Sequence, residues 1–233
     1  ILRWMNRRHS ADGARKAFNL IQSAAHGEIL PRTALSIDLI TGVPGMTAEL
    51  LDKTLEEVVR WRPEHISAYQ LSIEEGSVLA KMIENGSVAE LDEECCRMQY
   101  ELVCRRLSEA GYHHYEISNW ALPGREAVHN SAYWTRHPYV GLGPGAHSLI
   151  FYDAAGRPDG RAMSIQSGPL PVADCKQRRS WNSQTLGGWT SEYEILSAEQ
   201  IREEEVMLLA RTDRGPIPEK DWFIADEIIA DLL

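Results

Sequence analysis

The sequence is short of several things, and each shortage excludes a class of reading. No apolar run comes near the ~20 residues that a bilayer-crossing helix needs, so no transmembrane segment is expected. The four cysteines, Cys95, Cys96, Cys104 and Cys175, contain no Cys-x-x-Cys pair, which argues against a disulfide framework and a zinc site and fits a reducing compartment. Positive charge is also scarce: 24 Lys and Arg face 34 Asp and Glu, for a net charge of −10. An acidic surface repels phosphate backbones, so nucleic acid is not expected as a partner. Arg7-Arg8 and Arg178-Arg179 are pairs and not basic patches. The opening Ile1-Leu2-Arg3-Trp4-Met5 has no signal-peptide layout, and the expected location is the cytoplasm.

What is present is ordinary for a globular chain: 43% apolar and 25% charged residues in 233 positions, enough to bury a full core. Both ends read as cut. The chain opens in the end of a helix, and it stops at Leu232-Leu233 inside an uncapped apolar periodicity.

In chain order, Ser10 caps a predicted helix over Ala11 to Ala25, with Ala14, Ala17, Phe18 and Ile21 on one face. Ala34 to Ile40 alternates with period two. Leu35, Ile37 and Leu39 share one face, and Ser36, Asp38 and Ile40 the other. Gly42-Val43-Pro44-Gly45 breaks this strand, Thr47 caps a helix running to about Arg62, and Pro63 stops it. His65 to Ser72 is the next predicted strand, followed by a less regular stretch around Gly76 and Gly86. Asp92 to Ala110 is a helix with acids first and arginines last, matching the macrodipole. Strands are then predicted over Tyr112 to Ser118 and over Pro138 to Ile150.

Helix and strand alternate, which predicts an α/β fold with a parallel sheet or barrel. Residues 153 to 177 lose all periodicity and read as a linker, and Arg178 to Trp189 is aromatic and polar. Ser197-Ala198-Glu199-Gln200 is a capping box opening a helix through Arg211, and Pro218 begins a last amphipathic helix. The predicted domains are 1–152, a linker and aromatic-polar segment over 153–196, and the start of a helical domain over 197–233.

Three stretches carry candidate chemistry. Asp38 is a carboxylate on the polar strand face, costly there without a partner or a ligand, although an isolated strand-end Asp also caps loops. Tyr139 to Ser148 places Gly141, Gly143 and Gly145 at alternate positions. Glycine allows positive φ or close approach to the backbone, so the stretch fits a strand end facing a ligand and equally a hairpin or bulge. His129-Asn130-Ser131-Ala132-Tyr133-Trp134 offers hydrogen bonds and flat apolar surfaces to a planar polar ligand, with His129 a candidate iron ligand; a packed loop also explains it.

Together these residues carry a resemblance. Ser36 to Thr47 resembles the DLIYGLPGQT block of the oxygen-independent coproporphyrinogen III oxidase family of radical S-adenosylmethionine (SAM) proteins. His65 to Leu71, Tyr115 to Asn119, His129 to Trp134 and Gly141 to Ser148 resemble further blocks of that family, in its order. Asn6 to Ser10 resembles its GRxHS motif, and Ser197 to Gly215 its C-terminal helical region. The His-Asn-x-x-Tyr-Trp block is similar to the HemW-like, heme-chaperone branch. Thr41 and Val43 depart from the family pattern, which has an aromatic residue and a leucine there.

The resemblance implies the second half of a partial (β/α)6 barrel followed by a small, mainly helical domain. It implies a protein that binds heme and hands it to apo-proteins; the alternatives are a coproporphyrinogen III oxidase making protoporphyrinogen, or an inactive remnant. Its implied cofactors are SAM and a [4Fe–4S] cluster. The cluster's Cys-x-x-x-Cys-x-x-Cys loop is absent from this sequence, so its ligands would lie upstream and this segment alone would be inactive. By position, Arg7, Asp38, Ser72, Gly143, Gly145 and His147 match SAM contacts. His129, Asn130, Tyr133 and Trp134 are the heme candidates, with His147 a further axial candidate.

Overall fold

The computed structural model describes residues 1–25, 34–153, 157–158, 176–185 and 188–232. They form two compact units, Ile1–Glu126 and Ala127–Leu233.

In the first unit, α1 (Ala11–Ala25) stacks Phe18 on Trp61, ring centres 5.3 Å apart. Strand β1 (Ser36–Thr41) leads into α2 (Ala48–Trp61), whose Thr47 cap accepts from the Leu50 amide. Arg62 takes a left-handed conformation at the end of α2, and Pro63 follows, as the sequence predicts. Strand β2 (His65–Gln70) runs parallel to β1 in register Ser36 to His65. The stretch read as irregular contains a short helix, α3 (Val78–Glu84), capped by Ser77. Helix α4 (Glu93–Glu109) is capped by Asp92, with Glu93 and Glu94 in its first turn.

The predicted strand from Tyr112 to Ser118 is shorter and folds back on itself. β3 (His113–Glu116) turns through Ile117-Ser118 into β4 (Asn119–Ala121). Only two residues separate these strands, and a connection that short makes an antiparallel pair. β4 then inserts between its neighbours, giving the order β1-β2-β4-β3. The sheet is therefore mixed, parallel only at β1 and β2.

The alternation read from Leu35 to Ile40 decides which face is covered. Ile37, Ile66, Trp120 and His114 form one cross-strand row. His114 stacks on Trp120 with ring centres 4.1 Å apart. Ile37, Leu39, Ile66, Ala68 and Trp120 pack with Leu51, Leu55 and Val58 of α2 and Leu102, Val103 and Leu107 of α4.

In the second unit, α5 (Val128–Trp134) precedes an antiparallel sheet of β5 (His147–Tyr152), β6 (Lys176–Thr185) and β7 (Gly188–Ile195). Helix α6 (Ala198–Leu209) carries the predicted capping box, Ser197 and Gln200 each bonding the other's backbone. A 3-10 segment, Glu219–Ile224, leads into α7 (Ala225–Leu232). Leu149 and Phe151 pack against Leu196 and Ile201.

Three expectations change here. The strand read over Pro138 to Ile150 begins only at His147, and its glycines lie in the loop before it. Gly143 and Gly145 have φ of 96° and 68°, incompatible with an extended strand. Second, β5 pairs antiparallel with β6 and is not a strand of the first sheet. Third, the segment read as linker and aromatic-polar stretch contains the antiparallel strands β6 and β7, while residues 154–156, 159–175 and 186–187 lie outside the described residues. By its contacts the chain divides into its two units after Glu126.

Candidate functional site

The face of the first sheet opposite the α2 and α4 helices is polar, because successive residues of a strand point to opposite faces. Asp38, Ser67, Asn119 and Glu116 stand in one row across all four strands. Asp38 is exposed, whereas Ser67, Asn119 and Glu116 are buried. Beside this row, the Ser36 hydroxyl lies 2.8 Å from His65 Nδ1, and the Tyr115 hydroxyl 2.8 Å from His65 Nε2. Burial pushes the His65 pKa down, and the Asp38 carboxylate opposes that shift. A neutral imidazole has one donor and one acceptor nitrogen, so the two hydroxyls take opposite roles toward it.

Glu116 is the most enclosed of these groups, with 1% of its surface exposed. The Asn119 side-chain amide donates to its Oε1, and Oε2 has no partner among the described residues. Burial raises the carboxyl from 4.5 to about 7, against the hydrogen bonds from Asn119 and the Ser118 amide.

The loop after β1 is held from α4. The buried Gln99 accepts from the Gly42 amide at 2.9 Å and donates to the Met46 carbonyl at 3.1 Å. Gly42 has φ of 69°, and a Cβ there would lie 3.2 Å from Gln70 Cγ. A cleft of about 190 Å³ opens at this end of β1 and β2, lined by Gly42, Pro44, Gln70, Leu71, Leu91 and Cys96 among others. Carboxyl ends of parallel strands are where open α/β sheets bind ligands. Ser72, exposed, directly follows Leu71. Arg7 is exposed in the turns before α1.

In the second unit, the His129–Trp134 block is helical and not a loop. His129 and Tyr133 are therefore one turn apart on one face, and their rings meet edge-on at 4.8 Å. Tyr133 meets Tyr139 at 4.6 Å. His129 is exposed, Asn130 and Trp134 are half-buried, and Val128, Tyr133, Val140 and Leu142 are exposed apolar side chains of the same segment. The glycine loop is fastened to β6 by Asn182. The Gly145 amide donates to the Asn182 carbonyl at 2.8 Å, and the Asn182 side chain donates to the Gly143 carbonyl at 3.2 Å. His147 opens β5, exposed and paired with Trp181.

Arg7, Asp38 and Ser72 thus belong to the first unit, and Gly143, Gly145, His147 and the heme candidates to the second. Asp38 is brought next to a buried His–Tyr pair, and His129 next to Tyr133, which in turn meets Tyr139. Among the described residues, no group of three or more His, Cys, Asp and Glu is placed to hold a metal ion. Cys95 and Cys96 ride on α4, where the Asp92 hydrogen bond and burial respectively raise their thiol pKa values. That disfavours the thiolates a cluster needs.

The side chains of His65, Tyr115, Glu116 and Asn119 were visible only as members of sequence blocks. Their signal was register: each falls on the Asp38 face once the strands are paired. Gln99 and Asn182 carried no local signal, because their partners are distant backbone groups.

No protein-family model matches the chain. It is 34% identical over 186 residues to the heme chaperone HemW of Mycobacterium tuberculosis, covering 78% of this chain and 43% of that protein. It is 31% identical over 223 residues to a mitochondrial radical S-adenosyl methionine domain-containing protein 1 of Bos taurus, covering 95% of this chain and 47% of that one. Among solved structures, coproporphyrinogen III oxidase (HemN) of Escherichia coli, a radical SAM enzyme, superposes with a TM-score of 0.58 at 16% identity, over 99% of this chain and 52% of that one. At that identity the superposition speaks for the fold, a mixed α/β partial barrel with helical C-terminal elements. The chain spans about half the length of the curated relatives it matches. The block order, the sequence identity and the fold agree, and the chain belongs with the HemW-like radical SAM proteins.

Proposed function

We propose that the protein containing this chain is a heme-binding chaperone that passes heme to apo-proteins. The observation that carries this reading is the exposed His129 imidazole set edge-on against Tyr133, with Tyr139 behind it and exposed Val128, Val140 and Leu142 in the same segment. A neutral imidazole suits axial ligation of heme iron, and the tyrosines and aliphatic side chains supply apolar surface for a planar ring. Asn130 and Trp134 flank the same turn. The similarity to proteins named heme chaperone HemW supports the reading.

We assign SAM to the polar strand face, where Asp38 offers an exposed carboxylate, with Arg7 and Ser72 as further contacts in the first unit. Gly143, Gly145 and His147 stay proposed contacts from sequence position. Bound there, SAM would supply radical chemistry, and Asp38, Arg7 and Ser72 would hold it. Cys95, Cys96 and Cys104 do not fit the cluster, whose ligands we place outside the described residues.

Heme titration of the full-length protein, followed by its Soret band, tests the cargo assignment. We expect a shifted band that His129→Ala weakens or displaces without altering the thermal midpoint. A wild-type protein that leaves the heme spectrum unchanged would overturn the reading.

A further inference from the structure

The β5–β7 sheet buries one face and leaves part of the other exposed, around Tyr193, Ile195 and Lys176. Leu149, Phe151 and Gln177 are buried on one side, and Leu149 and Phe151 pack on Leu196 and Ile201. On the other side, Ile150, Arg178 and Ile195 form one cross-strand row, with Tyr152–Lys176 and Ser180–Tyr193 as its neighbours. Ile195 and Tyr193 are 51% and 63% exposed, which is uncommon for a large apolar and an aromatic residue side by side on a strand. Arg178 lies between two rings, its guanidinium carbon 5.0 Å from the centre of Tyr152 and 5.3 Å from that of Tyr193. Its Nε is buried and has no hydrogen-bond partner among the described residues. Lys176 is exposed on the same face.

A flat, partly apolar surface carrying two cations, in a chain of net charge −10, selects for a flat apolar ligand with carboxylates. We propose that this sheet face is a second contact surface for the tetrapyrrole, taking the ring over Tyr193 and Ile195 and its propionate carboxylates on Arg178 and Lys176. The assignment rests on heme being the cargo, and it adds a carboxylate-reading surface that needs no iron. The tyrosines hold the guanidinium in place, so little side-chain entropy is lost when a carboxylate arrives.

Metal-free protoporphyrin separates this surface from iron ligation. With full-length protein and porphyrin fluorescence anisotropy, we expect Arg178→Gln and Tyr193→Ala each to weaken binding by about tenfold, the scale of a charge-assisted hydrogen bond or a stacked ring. His129→Ala, which removes the candidate iron ligand, should alter the Soret band with heme. The porphyrin dimethyl ester should bind weakly to the wild type. Both substituted side chains are at least partly exposed, and circular dichroism melts check that the variants fold. Wild-type protein that binds protoporphyrin while Arg178→Gln and Tyr193→Ala bind equally well overturns the surface alone. Equal binding of the dimethyl ester removes the carboxylate contact and overturns it too. If the same variants lose affinity only for anionic phospholipid vesicles, the face is a membrane contact and the proposal fails. Wild-type protein that takes up neither porphyrin overturns the surface and the heme reading together.

Discussion

The Tyr115 hydroxyl and His65 Nε2 lie 2.8 Å apart inside the first sheet, and the ring's other nitrogen faces Ser36. This chain ties β3 to β2 and β2 to β1 through side chains on the face that carries Asp38. Burial lowers the His65 pKa, so the folded state binds this proton less readily than the unfolded chain. Stability from this group is full above the ordinary value of 6.5 and falls as pH drops through the lower folded value. Tyr115→Phe leaves Nε2 unpaired, and we expect a loss of about 1–2 kcal/mol at pH 8 in urea unfolding. An unchanged midpoint would show that the bond contributes nothing.

Glu116 titrates with the opposite sign. Its folded value is raised from 4.5 to about 7, so its contribution is full below 4.5 and is lost as pH rises through about 7. The shift corresponds to a penalty on the order of 3 kcal/mol for the ionised form at high pH. Glu116→Gln, neutral at every pH, should therefore raise the melting temperature at pH 8.5 and change it little at pH 5. Melts that shift equally at both values would contradict a protonated Glu116.

Gln99→Leu removes both bonds that fasten the Gly42–Met46 loop and leaves a backbone amide and a carbonyl without that partner. We expect a loss of about 2–4 kcal/mol by chemical denaturation. If SAM sits at the Asp38 face, the same variant should also weaken SAM binding in calorimetry.

Alanine substitutions separate the roles of the loop glycines. At Gly141 a Cβ would lie 2.1 Å from the His147 carbonyl oxygen, so the loop must move. At Gly143 and Gly145 nothing stands within 4 Å, and the cost is that of positive φ, about 1 kcal/mol each. Thermal melts should rank Gly141→Ala well below the other two.

Arg136 is 5% exposed and is paired with Glu204, which also holds Arg179, while its NH2 donates to Gln177 at 2.5 Å. Glu204→Gln takes from a buried guanidinium the carboxylate in contact with it, leaving the charge of Glu205 acting through space. The expected loss is about 3 kcal/mol or more, and Arg136→Met in the same background should recover part of it. No recovery in the double variant would mean that the pair is not the source.

Much was legible in the sequence because it rests on local rules. The period-two pattern from Leu35 to Ile40 placed Asp38 opposite the covered face. Ser10, Thr47, Asp92 and Ser197 marked helix starts, since a cap bonds amides within its own first turn. The ordered blocks pointed to the family and the barrel-type fold. What pairing over long separations decides was not legible. The turn at Ile117-Ser118 sends β4 back between β2 and β3, and nothing within the strand itself says which neighbour it meets. His147 joins an antiparallel sheet with residues more than twenty-five positions away, so the glycines became a loop fastened by Asn182 and not a strand wall. The chemistry of Glu116 came last of all, because a carboxyl changes its pKa through burial, and burial exists only once the tertiary structure has closed around it.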